Sequence, residues 1–223
     1  MESGVTSHRV FITGGTGYLG RALIGELLAR GHSVRALARA GSERRLPPGP
    51  EVVTGNALVD ATFADAVSPC DTFVHLIGTP HPSPAKAQQF RDVDLVSVKA
   101  AAAAAKHAWV SHFIYLSVAY PAPIMHEYIA VRQEGESLIR ATGMPATFLR
   151  PFYVLGPGHW WPYPLVPVFA LLRHIPATRD AAERLGPVSL KQMTRSLVFA
   201  VETPPATGVR ALNAPEIRRG GVR

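Results

Sequence analysis

The sequence predicts an α/β protein built on a doubly wound parallel sheet, with a small C-terminal segment on the substrate side. Three observations carry this. Strand-like runs recur from residue 9 to residue 151, and helical stretches separate most of them. The runs are nearly all apolar rather than alternating, as strands are when helices cover both faces of a parallel sheet.

"RVFIT" (9–13) is the first β-rich run, and Tyr18 to Arg30 follows with Leu19, Leu23, Leu27 and Leu28 at helical spacing. Gly31 ends that helix as a C-terminal glycine does. "SVRALAR" (33–39), "EVVTG" (51–55), "DTFVHLIG" (71–78), "HFIYLSV" (112–118) and "ATFLRP" (146–151) read as strands two to six. Between strands four and five, "AKAQQFRDVDLVSVKAAAAAAKHAW" reads as one long helix, its uninterrupted Ala100–Ala105 giving high helix propensity and close packing. After Pro151 the texture changes: "PFYVLGPGHWWPYPLVPVF" is rich in Pro, Gly and aromatics and reads as a loop-rich cover. Substrate contacts are expected there, because loops beyond the carboxyl ends of parallel strands line the crevice. The expected division is a flexible stretch over 1–8, a core over 9–151, a small C-terminal part of the same domain over 152–217 and a flexible tail over 218–223. "EIRRGGVR" reads as solvated.

Composition narrows the functional classes. With 47% hydrophobic and 17% charged residues in 223 positions, one well-buried domain is expected, and no apolar run approaches the length of a membrane span. The start "MESGVTSH" lacks the features of a secretory signal, and Cys70 is the only cysteine, so a cytoplasmic location is expected. The net charge of +7 raises the question of nucleic acid, but the basic residues are dispersed and form no run, so no nucleic-acid partner is expected. The histidines show no metal-ligand spacing, and no metal site is expected. His75 reads as a neutral, hydrogen-bonded core residue, and Cys70 as lacking a basic neighbour to activate it.

Gly14, Gly17 and Gly20 follow the first strand and open the first helix. Glycines so placed permit a tight turn, bring backbone N–H groups up to a pyrophosphate and let the helix pack closely on the strand. The positive end of the helix dipole then faces the phosphates. A Walker-type loop is excluded because no Gly-Lys-Ser/Thr follows. "TGGTGYLG" (13–20) resembles the short-chain dehydrogenase/reductase superfamily, especially its extended and atypical branches, with the Rossmann fold that implies. The likeness continues through the first strand-helix-strand unit, "HFIYLSV", "ATFLRPFYVLGPG", "GPVSLKQMTRSLVFAVETP" and the terminal strand-like "GVRALNAPEI", so it covers nearly the whole chain.

That resemblance places a nicotinamide cofactor on Gly14, Thr16, Gly17, Tyr18, Leu19 and Gly20, with Pro151 and Phe152 after the sixth strand. It puts Asn56 and Ala57 at the adenine and Leu76, Ile77 and Gly78 along its ribose. Asn56 reads equally as a turn residue after Gly55. No Asp or Glu occurs between Ser33 and Ser42, whereas Arg39, Arg44 and Arg45 gather in one loop, so NADP(H) is expected over NAD(H).

Catalytic members of the superfamily use a Tyr, a Lys four residues on and a Ser ending strand five. This chain carries Ser117 and "YIAVR", Tyr128 to Arg132, with Arg in the place of the Lys. The i,i+4 spacing puts the Arg132 guanidinium on the Tyr128 face of a helix, where it favours the ionised phenol. Arg is nonetheless a planar fork and no substitute for a point charge. Glu136, one turn on, reads as an i,i+4 partner of Arg132. The short connection from Ser117 to Tyr128 and the small C-terminal part leave little room for a nucleotide sugar. A small or apolar substrate is expected, lined by His159, Trp160 and Trp161.

Three functions remain open. The first is an NADP(H)-dependent oxidoreductase acting on a small or apolar carbonyl or quinone-like substrate by hydride transfer. The second is a nicotinamide-nucleotide binder without turnover, similar to NmrA-like sensors or the accessory subunit of respiratory complex I. The third is an epimerase or dehydratase. The resemblance also implies a homodimer through the alanine-rich helix and the Tyr128 helix.

Overall fold

The computed structural model describes residues 6–157 and 163–221. The strands β1 (Arg9–Thr13), β2 (Ser33–Ala38), β3 (Glu51–Thr54), β4 (Thr72–His75), β5 (His112–Leu116), β6 (Ala146–Arg150) and β9 (Val209–Asn213) form one sheet. Their order is β3-β2-β1-β4-β5-β6-β9, and every pair is parallel. The expected doubly wound architecture holds, because continuous apolar strands leave no face to solvent.

Each strand sends alternate side chains into one of two cores. Phe11, Phe73 and Phe113 stand at matched register on β1, β4 and β5, with ring centroids 5.2 Å apart in each neighbouring pair. Helices α4 (Val96–His107) and α5 (His126–Ala141) cover that face, and short α2 (Ala64–Val67) packs beside α4. Val10, Ile12, Val74 and Ile114 point the other way, onto α1 (Tyr18–Ala29) and α8 (Leu190–Glu202). Within the alanine run every residue but Ala103 is buried, so the small side chains serve packing.

The long helix before β5 is present but not uniform. Ala87–Gln89 (α3) runs into a π-helical turn over Phe90–Leu95, which continues as α4. Phe90 and Asp94 of that turn are both buried.

Two expectations need correction beyond Pro151. The segment read as loop-rich contains α6 (Leu165–Leu172) and, after it, α7 (Pro176–Leu185). Pro167 falls in the first turn of α6, where its missing N–H costs no helical hydrogen bond. Strands β7 (Val154–Leu155) and β8 (Val188–Ser189) pair across this part. The C-terminal residues read as solvated instead form α9 (Ala214–Arg218), in which Ile217 is fully buried and Glu216 accepts from the Asn213 N–H at 2.9 Å. Two buried apolar residues, Ala214 and Ile217, dock the helix among charged neighbours. No helix among the described residues is long and apolar enough to cross a membrane.

Candidate functional site

The strand order reverses between β1 and β4, and at their carboxyl ends a crevice opens, as it does at such switch points. The glycine loop forms its floor. Gly14 has φ +81°, and a Cβ there would lie 2.9 Å from the Leu76 carbonyl carbon; one on Gly20 would lie 2.4 Å from the Gly14 oxygen. A Cβ on Gly17, the N-cap of α1, would lie 3.3 Å from the Gly14 oxygen, and no side chain caps that helix end. The first-turn amides are thus presented to the crevice over a floor that only glycine can form, which fits a pyrophosphate.

The crevice is a cavity of about 690 Å³. It gathers Gly14, Gly17, Tyr18, Leu19, Gly20, Leu76 and Gly78 with Ser117, Tyr128, Arg132, Pro151 and Phe152, all sequence-predicted site residues. Pro80, Pro82, Pro84, Val118, Ile124 and Met125 add an apolar outer wall. Thr16, Ile77, Asn56, Ala57, Arg39 and Arg44 stand outside the wall. Asn56 behaves as the turn residue: its Oδ1 accepts from the Leu58 N–H at 3.1 Å. Arg39 and Arg44, beyond the carboxyl end of β2, are exposed, and their side chains make no hydrogen bond or ion pair among the described residues. His159, Trp160 and Trp161 lie outside the described residues.

Tyr128 lines the cavity, and its hydroxyl makes no hydrogen bond among the described residues. Its ring is held by Phe90, with centroids 5.0 Å apart, and by the Arg132 guanidinium 5.1 Å from the ring centre. Across the cavity, burial and then Tyr128 push the Tyr18 phenol up to about 12, so Tyr18 stays protonated.

Arg132 does not do what its spacing from Tyr128 implied. The cation lies over the ring face rather than at the hydroxyl, and Nη1 and Nη2 are bonded elsewhere, while the buried Nε has no hydrogen-bond partner. Nη1 donates to the Leu116 carbonyl at 3.0 Å and the Ile77 carbonyl at 3.2 Å, and Nη2 to Asp94 Oδ2 at 3.2 Å. Both members of the ion pair are buried. A buried guanidinium needs a carboxylate and carbonyls around it, and these particular carbonyls cap the ends of β4 and β5. Burial works to lower the Arg132 pKa, but Tyr128, Tyr115 and Asp94 outweigh it and hold the cation charged. Gly78 is required beside it, since a Cβ there would lie 2.3 Å from Nη2. Asp94 also accepts from the Thr79 N–H at 2.7 Å and the Thr79 hydroxyl at 2.9 Å.

Ser117 reaches the cavity wall, but its hydroxyl donates to Glu136 Oε1 at 2.7 Å. Glu136 is not the partner of Arg132. It accepts from Arg150 Nε at 2.8 Å, from Arg150 Nη2 and from the Tyr120 hydroxyl at 3.1 Å. Toward the cavity Ser117 therefore offers lone pairs and no proton.

His75, beneath the floor, is the neutral core residue expected. Ser97 gives its proton to the Asp94 carbonyl at 3.0 Å, so His75 Nε2 donates to Ser97 at 3.2 Å and Nδ1 accepts from Thr13 at 2.7 Å. Burial, and next the Arg132 charge, lower its pKa to about 3. Cys70, contrary to expectation, has basic neighbours in Arg35 and Arg9, but burial outweighs them and raises its thiol to about 11.

Sequence reasoning missed Asp94, Thr79 and Arg150. A signal for Asp94 existed. Phe90, Asp94, Ser97 and Ala101 stand at helical spacing and are all buried, so the carboxylate interrupts an inward face.

A family model described as NAD(P)H-binding matches residues 14–156. A ceramide reductase of Caulobacter vibrioides (strain NA1000 / CB15N) is 29% identical over 222 residues, covering 95% of this chain and 66% of that protein. A 4-hydroxy-2-methyl-3-oxo-4-farnesyl-3,4-dihydroquinoline-1-oxide ketoreductase of Stigmatella aurantiaca is 31% identical over 111 residues, 49% of this chain and 33% of that protein. The chain thus spans 66% of the length of the first relative and 33% of the second. The crystal structure of a short-chain dehydrogenase/reductase superfamily protein from Agrobacterium tumefaciens with bound NAD superposes with a TM-score of 0.67 at 19% identity, over 92% of this chain and 77% of that one. At that identity the likeness is one of fold.

Proposed function

This chain belongs to the NAD(P)H-binding family, and we propose that it is an NADP(H)-dependent oxidoreductase acting on a small or apolar carbonyl or quinone-like substrate. One observation carries the reading: the glycine floor and Tyr128, whose hydroxyl makes no hydrogen bond among the described residues, line the same cavity, whose outer wall is apolar. The names of the two relatives, a ceramide reductase and a farnesyl-quinoline ketoreductase, agree with an apolar substrate.

When bound, the nicotinamide supplies or accepts the hydride. Tyr128 exchanges the proton with the substrate oxygen. Ser117 accepts a hydrogen bond from a substrate donor rather than polarising a carbonyl, since Glu136 holds its proton. Arg132 packs against the Tyr128 ring and fastens the crevice floor, its Nη1 and Nη2 already hydrogen-bonded to protein groups. Arg39 and Arg44, exposed and without carboxylate partners, receive the 2′-phosphate that distinguishes NADP(H).

The test begins with titration by NADPH and NADH, followed by quenching of the tryptophans, and then a panel of quinones, aldehydes and ketones monitored by nicotinamide absorbance. Turnover with any panel member, reduced about 100-fold or more in Tyr128→Phe with little change in NADPH affinity, is the expected result. Tight binding with no turnover would favour a second reading, a nucleotide binder, which the commitments of Ser117 to Glu136 and Arg132 to Asp94 support.

A further inference from the structure

Helix α6 is out of place in a water-soluble surface. Its sequence, "LVPVFALL", carries no charge, and Val166, Val168 and Leu171 are exposed, Leu171 by 65%; Ile175, just beyond, is exposed as well. These residues do not fall on one stripe, so the helix is apolar around its circumference. A helix of that kind belongs in a protein core or in lipid. Among the described residues it packs chiefly against α7. At eight residues, about 12 Å long at 1.5 Å per residue, it cannot span a bilayer, only enter its surface.

The neighbouring charges say what kind of surface. Arg173, at the C-terminal end of α6, brings Nη2 toward the same point as Arg218 Nη1: a Cβ built on Gly186 would lie 2.7 and 3.2 Å from them. Arg218 donates to the carbonyls of Gly186 and Glu183, and neither arginine makes an ion pair among the described residues. The Arg173 Nε is buried and has no hydrogen-bond partner. Glu183 and Glu216 lie near enough to act on Arg218, but neither forms an ion pair with the two guanidinium groups among the described residues, which leaves both able to meet an anion supplied from outside.

We infer that α6 and the Arg173–Arg218 pair form a docking face for an anionic phospholipid bilayer, α6 entering the headgroup–acyl boundary while the guanidinium groups meet lipid phosphates. The net charge of +7 favours the same partner over long range. Docking this way also sets the cavity near the membrane. Arg184 of α7 donates to the Pro121 carbonyl, in the connection that supplies Ile124 and Met125 to the cavity wall. β8, just after α7, pairs with Val154, another wall residue. An apolar substrate would pass from lipid to crevice without crossing much water, although the docking face does not depend on the reductase reading.

The experiment is co-sedimentation of the full chain with vesicles of phosphatidylglycerol and phosphatidylcholine, against phosphatidylcholine alone, at low and high salt. Binding to the anionic vesicles only, weakened by salt, is expected. Val168→Glu with Leu171→Glu should weaken it tenfold or more, and Arg173→Gln about fivefold. NADPH affinity, read in parallel, should stay at the wild-type value in each variant and so report intact folding. Wild-type protein left in the supernatant at low salt, or variants that bind as the wild type does, would overturn the proposal. So would a concentration-dependent dimer that Val168→Glu with Leu171→Glu dissolves, or saturable binding of inorganic phosphate without vesicle affinity.

Discussion

Replacing Arg132 by Lys keeps the charge and the helix but removes the fork, and its effect follows from three distances. Arg132 spans the Leu116 carbonyl at 3.0 Å, the Ile77 carbonyl at 3.2 Å and Asp94 at 3.2 Å. A single ammonium on a shorter stem stays with Asp94, because that is the buried opposite charge, and abandons the two strand-end carbonyls. Two hydrogen bonds to a charged donor, each contributing roughly 1.5–3 kcal/mol, are lost, partly offset by relaxation of the site. A net destabilisation of about 3 kcal/mol is expected, which for a domain of this size lowers Tm by roughly 6–12 °C. Urea unfolding followed by circular dichroism, with a matched NADPH titration and turnover assay, measures it. The midpoint should fall at constant slope, and turnover should not rise, since the ammonium is drawn away from the cavity. A Lys variant of wild-type stability, or one that turns over faster at unchanged NADPH affinity, would refute the structural role assigned to Arg132.

Two further outcomes follow. His75 and His112 are both held neutral by burial, with pKa values lowered to about 3 from an unfolded value near 6.5. Between these limits the unfolded chain binds the protons, so stability falls as pH falls, by about 2 kcal/mol per histidine from pH 7 to pH 5; a urea midpoint flat over that interval would contradict it. Arg39→Ala with Arg44→Ala should weaken NADPH about tenfold or more and leave NADH nearly unchanged. An unaltered NADPH-to-NADH ratio of dissociation constants would remove the 2′-phosphate assignment.

The fold was legible because period and punctuation are local properties. Each core strand from β1 to β6 appears within a few residues of its expected bounds, and the likeness of "TGGTGYLG" to short-chain dehydrogenase/reductases agrees with the family match and the structural neighbour. The cofactor floor was legible for the same reason: three glycines between strand and helix have few other uses. The wall formed by Ser117, Tyr128 and Arg132 was not. Tyr128 and Arg132 are four residues apart, and that spacing implies a pair, yet the guanidinium's hydrogen bonds lead to Asp94, Ile77 and Leu116, 38, 55 and 16 residues away. Glu136 shows the same failure. Its helical neighbour Arg132 turns toward the crevice floor, while Glu136 turns to Arg150 on β6 and Ser117 at the end of β5. Buried charges choose partners by solvation, and the sheet, rather than the helix, supplies them.

The π turn over Phe90–Leu95 sets which side chains face inward as well as the shape of the helix. Phe90 and Val98 are both fully buried, yet eight residues of regular helix would set them about 80° apart in projection, whereas seven would bring them within about 20°. The wide turn absorbs the difference, so Phe90 and Val98 face inward together despite their eight-residue spacing. Shortening the turn by one residue between Phe90 and Asp94 would straighten the helix and leave Phe90 under Tyr128. The same deletion inside the alanine run would rotate everything upstream by about 100° and carry Asp94 away from Arg132. Tolerance to length change is therefore concentrated in a place where composition alone would never have put it.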